Sequence, residues 1–306
     1  MGTFLIRRLF MLIPVLLGVL TAVFMLIHLI PGDPVEVMLG EQALTADRAQ
    51  LRAEMGLDDP LAVQYARFLA GAVTGDLGTS LHSGRPVWRM VAERVPATLG
   101  LTVAAMVVAI GVALPLGLVC AVRAGRALDH GAMVAALVGV SMPNFWLGPL
   151  LILVFSVNLG WLPLGGAEEP LAFVLPALTL GTAMAAILTR MVRASLLEVM
   201  DREFVRTAVA KGLPRWRVMV RHVLANALIP VITVIGLQFG ALLAGAIITE
   251  TIFSWPGLGR LTVEAIQTRD YPLVQGCVLM ICLGYLLASL LTDLCYAAAD
   301  PRVRLR

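Results

Sequence analysis

The sequence predicts an all-α membrane protein with six transmembrane helices and both termini in the cytoplasm. Three observations lead to this fold class: the composition, the length of the apolar runs and the distribution of basic residues. Of the 306 residues, 59% are hydrophobic and 14% are charged, and the mean hydropathy is +0.89. A soluble domain is about 45–50% apolar and about 25% charged. This chain therefore has too few charges to cover a surface that faces water.

Six apolar runs are long enough to cross about 30 Å of hydrocarbon. They lie at 9–30, 98–122, 132–157, 171–192, 228–250 and 275–297. The first run follows Arg7 and Arg8 but is longer than the core of a signal peptide, and no small-x-small cleavage site comes after it. We expect it to stay as an uncleaved anchor. Pro115, Pro149 and Pro176 are expected to bend their helices without interrupting them.

The orientation follows from the basic residues, which are in excess on the cytoplasmic side of a membrane protein. With six spans, fifteen of the 23 Lys and Arg residues fall on the side of the termini, at Arg7, Arg8, Arg123, Arg126, the eight between Arg190 and Arg221, Arg302, Arg304 and Arg306. This distribution places both termini and the loop 190–227 in the cytoplasm.

Two regions are predicted: an anchor with an external segment (1–96), and a core with the other five spans and the loop 190–227 (97–306). In the external segment, Asp59 before Pro60 is typical of a helix start, and Gly75 would end that helix. Pro86 can open another helix, with Val87 and Val91 on one face. The segment could cap the helix bundle or dock a partner.

The loop 190–227 contains a complete short helix between Asp201 and Gly212, with Asp201 as the predicted N-cap and Gly212 as the terminating glycine. Its apolar residues Phe204, Val205, Ala208 and Val209 are predicted to line one face, and Pro214 can start a second helix that leads into the fifth span. A helix this short is marginal alone in water. It could lie on the inner leaflet, held by basic residues near anionic lipid, or insert into a soluble partner.

Several classes of activity are disfavoured. Lys211 is the only lysine and is followed by Gly212, so the chain lacks the lysine motif of the common ATP-binding loop. The spans contain no serine with a nearby histidine or paired acid, and the four histidines are scattered without metal-ligand spacing. We therefore expect neither an enzyme nor a metal site. Glu250 and Asp293 lie near span ends, which disfavours the alternative of an ion-coupled secondary transporter.

The loop after the fifth span is the second candidate site. Glu250, Phe253, Trp255, Pro256 and Gly257 lie at the predicted outer mouth of the bundle, as an outer gate or part of the substrate path. The alternative is a tight turn with a structural aromatic side chain. Small residues in the fifth span could line a pore, but close helix packing is the favoured explanation for Gly236, Gly240, Ala244 and Gly245.

Two stretches then make the sequence recognisable: Arg206-Thr-Ala-Val-Ala-Lys-Gly212 and His222-Val-Leu-Ala-Asn-Ala-Leu-Ile-Pro230. They resemble the coupling loop of binding-protein-dependent ABC importer permeases, in the dipeptide, oligopeptide and nickel family. Arg206 and Thr207 replace the Glu-Ala of the general motif, a variant typical of the peptide and nickel branch. The resemblance extends over nearly the whole chain, through Ile30-Pro-Gly-Asp-Pro34, Gly75-Asp-Leu-Gly78, Ser141-Met-Pro-Asn-Phe-Trp146, Leu159-Gly-Trp-Leu-Pro163, Thr249 to Arg260, Arg269-Asp-Tyr-Pro272 and Asp300-Pro-Arg302.

The resemblance implies a type I ABC importer permease fold in the bacterial inner membrane. It implies a second homologous permease subunit, two cytoplasmic ATPase subunits that bind ATP and Mg, an external binding protein and surrounding lipid, with no nucleic acid. The residues that match the coupling motif, and would dock on the ATPase, are Glu203, Arg206, Thr207, Ala208, Lys211 and Gly212. A short peptide is the expected substrate. Residues 155–163 with 175–181 look closest to glutathione-type permeases, and nickel stays open as an alternative.

Overall fold

In the computed structural model the protein is almost entirely helical. The structure describes residues 2–29, 35, 52–53 and 56–299, without the side chains of residues 2–9, 26–29, 244–245 and 296–299. The motif residues 30–34 and 300–302, with Arg304 and Arg306, lie outside these described residues. Within them there is no strand, and the only bridge pairs Thr79 with Pro86.

Twelve helices follow one another along the described chain, and two of them continue as π-helical turns. They are α1 (Gly2–Leu29), α2 (Leu61–Thr74), α3 (Val87–Val122), α4 (Ala127–Ser141), α5 (Asn144–Leu151, continuing as Ile152–Asn158), α6 (Val174–Met200, after a 3₁₀ turn Pro170–Phe173), α7 (Glu203–Ala210), α8 (Arg215–Arg217, continuing as Val218–Leu224), α9 (Ala225–Gly245), α10 (Ile247–Ile252), α11 (Leu258–Gln267) and α12 (Tyr271–Ala299).

The apolar helices confirm an all-α, multi-pass membrane protein. Among the described residues, four segments are long and apolar enough to cross a membrane, namely Val87–Val122, Pro170–Met200, Arg215–Leu243 and Tyr271–Cys295. The predicted first span lies in α1, whose described apolar stretch Phe10–Met25 is shorter than these four. The number six and the cytoplasmic placement of the termini therefore stay predictions.

The predicted span 132–157 is not one continuous helix. It is broken between α4 and α5, which meet at an angle of 101°. Pro143 causes the break, because it lacks an N–H and forces the residue before it out of the helical region; Met142 accordingly has φ −84° and ψ 115°. Pro149 lies inside α5, as expected of a tolerated proline, and Pro143 was not among the prolines considered from the sequence.

The chain forms two compact units. One comprises the residues up to Thr98 with Pro256–Gly284, and the other comprises Leu99–Trp255 with the residues from Tyr285 onward. Helices α3 and α12 contribute to both. The predicted division of function between 1–96 and 97–306 stays a prediction.

The first unit is organised around the helix that Pro86 was predicted to open. Val87 and Val91 of α3 are fully buried, in an apolar core shared with Leu258, Leu261, Ala265, Leu273 and Cys277. A buried hydrogen bond from Ser80 Oγ to Asp270 Oδ2 (2.5 Å) joins the turn before α3 to the residue before α12. As predicted, Gly75 ends α2, with φ +79°. The helix before it begins at Leu61, with Pro60 at the cap position.

The second unit is centred on α6, the most buried of the candidate spans. Helices α4 and α9 both pack along it. Small residues also allow α9 and α12 to approach each other closely. A Cβ at Gly236 would lie 2.0 Å from Thr292 Oγ1, and one at Gly240 would lie 3.0 Å from the Tyr285 ring. These two glycines therefore serve close packing between α9 and α12. The surroundings of Ala244 and Gly245 are not among those that the structure describes.

Candidate coupling segment and outer loop

Helix α7 ends in a Schellman motif built on Gly212. The amide of Leu213 donates to the carbonyl of Ala208 (3.3 Å), and the amide of Gly212 donates to the carbonyl of Val209 (2.9 Å). This pair of hydrogen bonds needs a residue in the left-handed region after the helix. Gly212 provides it with φ +79°, as the sequence predicted.

The start of α7 differs from the prediction. Helix α6 runs on to Met200, and Asp201 follows as its C-cap with helical backbone angles (φ −83°, ψ −6°). The residue with extended backbone before α7 is Arg202, and no side chain caps the helix. Asp201 is thus not the N-cap, because the preceding helix is longer than predicted. Glu203 does place an acidic side chain in the first turn, where it suits the helix dipole.

The two sides of α7 face different surroundings. Val205 and Ala208 are buried, and the helix packs against the segment Val218–Leu224. Phe204 and Val209, predicted on the same apolar face, are 44% and 54% exposed. Of the six residues that match the coupling motif, Ala208 is covered by the chain itself, and the other five are exposed: Glu203, Arg206, Thr207, Lys211 and Gly212.

Helix α7 is tied to two membrane helices. Only Asp201 and Arg202 separate it from α6, and the amide of Arg202 donates to the carbonyl of Val199 (3.1 Å). On its other side, Pro214 precedes α8, as predicted, and that helical segment continues without a gap into α9. A displacement of α7 would therefore act on the ends of both helices.

The loop after the fifth span, residues 250–257, is called the outer loop after its predicted position. Three of its predicted site residues lie inside the second unit. Glu250, Phe253 and Trp255 are each no more than 1% exposed. The Trp255 ring meets Phe173 edge-on, with centroids 4.4 Å apart, and the carbonyl of Phe253 accepts a hydrogen bond from the amide of Gly166 (2.9 Å). In this conformation these side chains are not accessible to a transported solute.

The loop continues into the first unit at Pro256 and Gly257. Pro256 is half-buried and Gly257 is buried. The carbonyl of Gly257 accepts a hydrogen bond from the amide of Leu261 (3.1 Å), which starts α11. The amide of Leu258 is held by Thr98 Oγ1 at 2.8 Å. These two residues thus connect the loop to a fixed helix start. An outer-gate role for the loop stays a prediction.

Several structural features escaped the sequence analysis. Phe173 and Gly166 carry no pattern that links them to the outer loop. The ion pair between Asp129 and Arg193 (2.6 Å) was also missed, although an acidic and a basic residue each close to a span end are the available signal. Among the described residues, no three His, Cys, Asp or Glu side chains come together as a metal site.

Two family models together match most of the chain. The model described as binding-protein-dependent transport system inner membrane component matches residues 113–305, and the N-terminal model of the same system matches residues 1–102. The chain belongs to this permease family. It is an integral component of the bacterial inner membrane.

Relatives of full length agree. The permease is 45% identical to the dipeptide transport system permease protein DppB of Escherichia coli (strain K12), over 98% of both chains. It is 46% identical to the glutathione transport system permease protein GsiC of Pectobacterium atrosepticum, over 99% of both chains.

Solved structures support the fold at low sequence identity. The permease resembles a chain of the MetNI methionine ABC transporter in an inward-facing conformation, with TM-score 0.56 and 18% identity, over 69% of this chain and 96% of that one. A chain of an amino acid ABC transporter gives TM-score 0.52 and 18% identity, over 70% and 94%. The predicted ABC importer permease fold is confirmed.

Proposed function

We propose that this permease forms half of the translocation path of an ATP-driven importer for short peptides, either dipeptides or glutathione. The observation that carries the proposal is the full-length identity of 45–46% to permeases named for dipeptide and glutathione transport. Both names favour a peptide over nickel. Membership of a binding-protein-dependent family favours import driven by ATP over an ion-coupled secondary transporter.

The other half of the path would come from a second homologous permease subunit. Two cytoplasmic ATPase subunits would bind ATP and Mg, and an external binding protein would deliver the peptide. In this arrangement the permease itself is not a catalyst, and its task is to convert closure of the ATPases into a change in its membrane helices. Such switching is a rigid-body movement of packed elements.

Helix α7 is our candidate for the contact with the ATPase. Its solvent-exposed face carries Phe204 and Val209, next to the exposed Arg206 and Lys211. Apolar side chains at a charged, exposed site are typical of a protein interaction surface. Its opposite face packs on the rest of the permease through the buried Val205 and Ala208. A partner that binds the exposed face would therefore move the helix as a unit.

The proposed substrate is tested with the reconstituted importer. The permease pair, its ATPases and the binding protein are placed in lipid vesicles, and uptake of a labelled dipeptide, labelled glutathione or labelled nickel ion is measured with and without ATP. We expect ATP-dependent uptake of the dipeptide or of glutathione. Uptake of nickel alone would contradict the proposal, and uptake driven by an ion gradient without ATP would contradict the importer class.

The docking role of α7 is tested by cross-linking. All four native cysteines, Cys120, Cys277, Cys282 and Cys295, are first replaced by serine, and the exposed Thr207 is then changed to cysteine. We expect a thiol-reactive photocross-linker at this position to attach to the ATPase subunit. The matched control is Arg126→Cys, in the exposed turn between α3 and α4, and it should give little of this product. Attachment to lipid only at position 207 would favour a membrane-surface role instead.

A further inference from the structure

A partly buried ion pair joins α4 to α6 near the ends of both helices. Arg193 donates from Nε to Asp129 Oδ1 (2.6 Å) and from Nη2 to Asp129 Oδ2 (2.7 Å). The amide of Gly125 donates to the same Oδ2 at 2.9 Å. The Asp129 side chain is 3% exposed and that of Arg193 is 26% exposed. The carboxylate is thus held by three hydrogen bonds, two of them from one planar guanidinium.

This pair lies close to the coupling segment. Arg193 is seven residues before the end of α6 at Met200, which is about 10 Å along a helix. Only Asp201 and Arg202 then separate α6 from α7. Because α6 is continuous over this stretch, a displacement of α7 is transmitted along α6 to Arg193.

On the other side of the pair, α4 is the first half of the broken span. It packs along α6, where a Cβ at Gly139 would lie 3.4 Å from Ala186 Cβ. After the 101° break, α5 still packs against α6 and also packs against α10, where a Cβ at Gly148 would lie 3.2 Å from the Phe253 ring. The half before the break is thus joined to α6 by packing and by the ion pair, whereas the half after the break also contacts Phe253.

Farther along the two helices the contact includes small side chains, with Gly139 against Ala186 and Thr182, and apolar contacts of this kind have no preferred direction. A bidentate guanidinium–carboxylate contact fixes both distance and orientation. An exposed ion pair contributes little to stability, and a buried one is often no more stable than an apolar pair of similar volume. Stability alone therefore gives no reason for an ion pair here, whereas a requirement for fixed geometry does.

We propose that Asp129 and Arg193 are positioning residues that make α4 move together with α6 when the ATPases displace α7. The proposal rests on the proposed function and deepens it, because it names the contact that carries the movement from α7 to the first half of the broken span. Without the pair, α6 can shift while α4 stays behind, and ATP is hydrolysed without opening of the path.

The test measures peptide taken up per ATP hydrolysed in the reconstituted importer. The main variant combines Asp129→Asn with Arg193→Met: asparagine still accepts the hydrogen bond from the Gly125 amide, and methionine fills the volume of the arginine stem. We expect a melting temperature close to that of the wild type, binding-protein-stimulated ATP hydrolysis that persists, and about tenfold less peptide per ATP. Arg193→Lys keeps the charge but not the two-point contact, and should give an intermediate ratio.

The matched control is Arg190→Gln, which removes an exposed arginine one turn earlier on α6 and should leave the ratio unchanged. A double variant with wild-type melting temperature and wild-type peptide per ATP would overturn the proposal. If the double variant fails to assemble, Arg193→Lys decides in the same way, since an unchanged ratio overturns the proposal and a reduced one supports it. A wild-type importer that takes up no peptide would contradict the proposed function, independently of the pair.

Discussion

Replacement of Trp255 by alanine is expected to lower the free energy of unfolding of the permease by about 3–5 kcal/mol. The Trp255 side chain is fully buried, and its ring packs edge-on against Phe173 with centroids 4.4 Å apart. Removal of the indole leaves a cavity among the outer-loop residues that the backbone around Phe253 cannot fill, because that backbone is fixed by its hydrogen bond to Gly166. Thermal unfolding of the purified permease measures the effect as a lower melting temperature.

Two controls separate packing from size and position. Trp161→Ala removes the same side chain where it is 66% exposed, and should change the melting temperature little. A double-mutant cycle with Trp255→Leu and Phe173→Leu should give a coupling energy of about 0.5–1.5 kcal/mol, the range for aromatic pairs. A melting temperature for Trp255→Ala equal to that of the wild type would contradict the packing role.

The same residue decides between the two explanations of the outer loop. Trp255→Phe retains an aromatic ring against Phe173 and should fold normally. If Trp255 serves packing alone, this variant takes up peptide at the wild-type rate. A large loss of uptake in a variant of normal stability and expression would instead support an outer gate, in which the indole leaves its buried position during the transport cycle.

The sequence predicted the helices well where the apolar pattern and the residues that begin or end a helix indicate the same bounds. Gly212 and Gly75 end their helices as expected, because only the left-handed region allows the chain to turn there. Val87 and Val91 are buried as their spacing implied. The coupling segment was found by its amphipathic residues, and its short length pointed to a partner.

Other features depend on contacts between residues distant in sequence, and local patterns do not record them. Pro143 was not recognised from the sequence as a break in the predicted span 132–157, yet the residue before it, Met142, takes up extended backbone angles. Phe204 and Val209 were placed on the buried face by their periodicity, but only Val205 and Ala208 find a surface of the chain to cover. The burial of Trp255 depends on Phe173, which precedes it by 82 residues.

Substitution of Gly212 by valine is expected to uncouple the importer. Valine in the left-handed region costs about 1–3 kcal/mol, so the Schellman hydrogen bonds from Leu213 and Gly212 are lost or the end of α7 unwinds. With eight residues the helix has too few turns to stay formed without its end. A loss of this size corresponds to a change of about 5–150-fold in a coupled equilibrium. Peptide uptake and stimulated ATP hydrolysis are measured in vesicles. We expect both rates to decrease by a factor of about 5–150.

The structure offers a closely matched control in Gly75→Val. Gly75 has the same φ of +79°, also follows a helix, and like Gly212 has no atom within 4 Å of an added Cβ. The backbone strain is therefore the same, but Gly75 lies at the end of α2, in the segment predicted to be external, away from any contact with the ATPases. A similar loss of stimulated hydrolysis in both variants would show that strain alone is responsible. A loss confined to Gly212→Val ties coupling to the end of α7, because only there does an unwound helix release the surface of Arg206 and Lys211 from its fixed orientation.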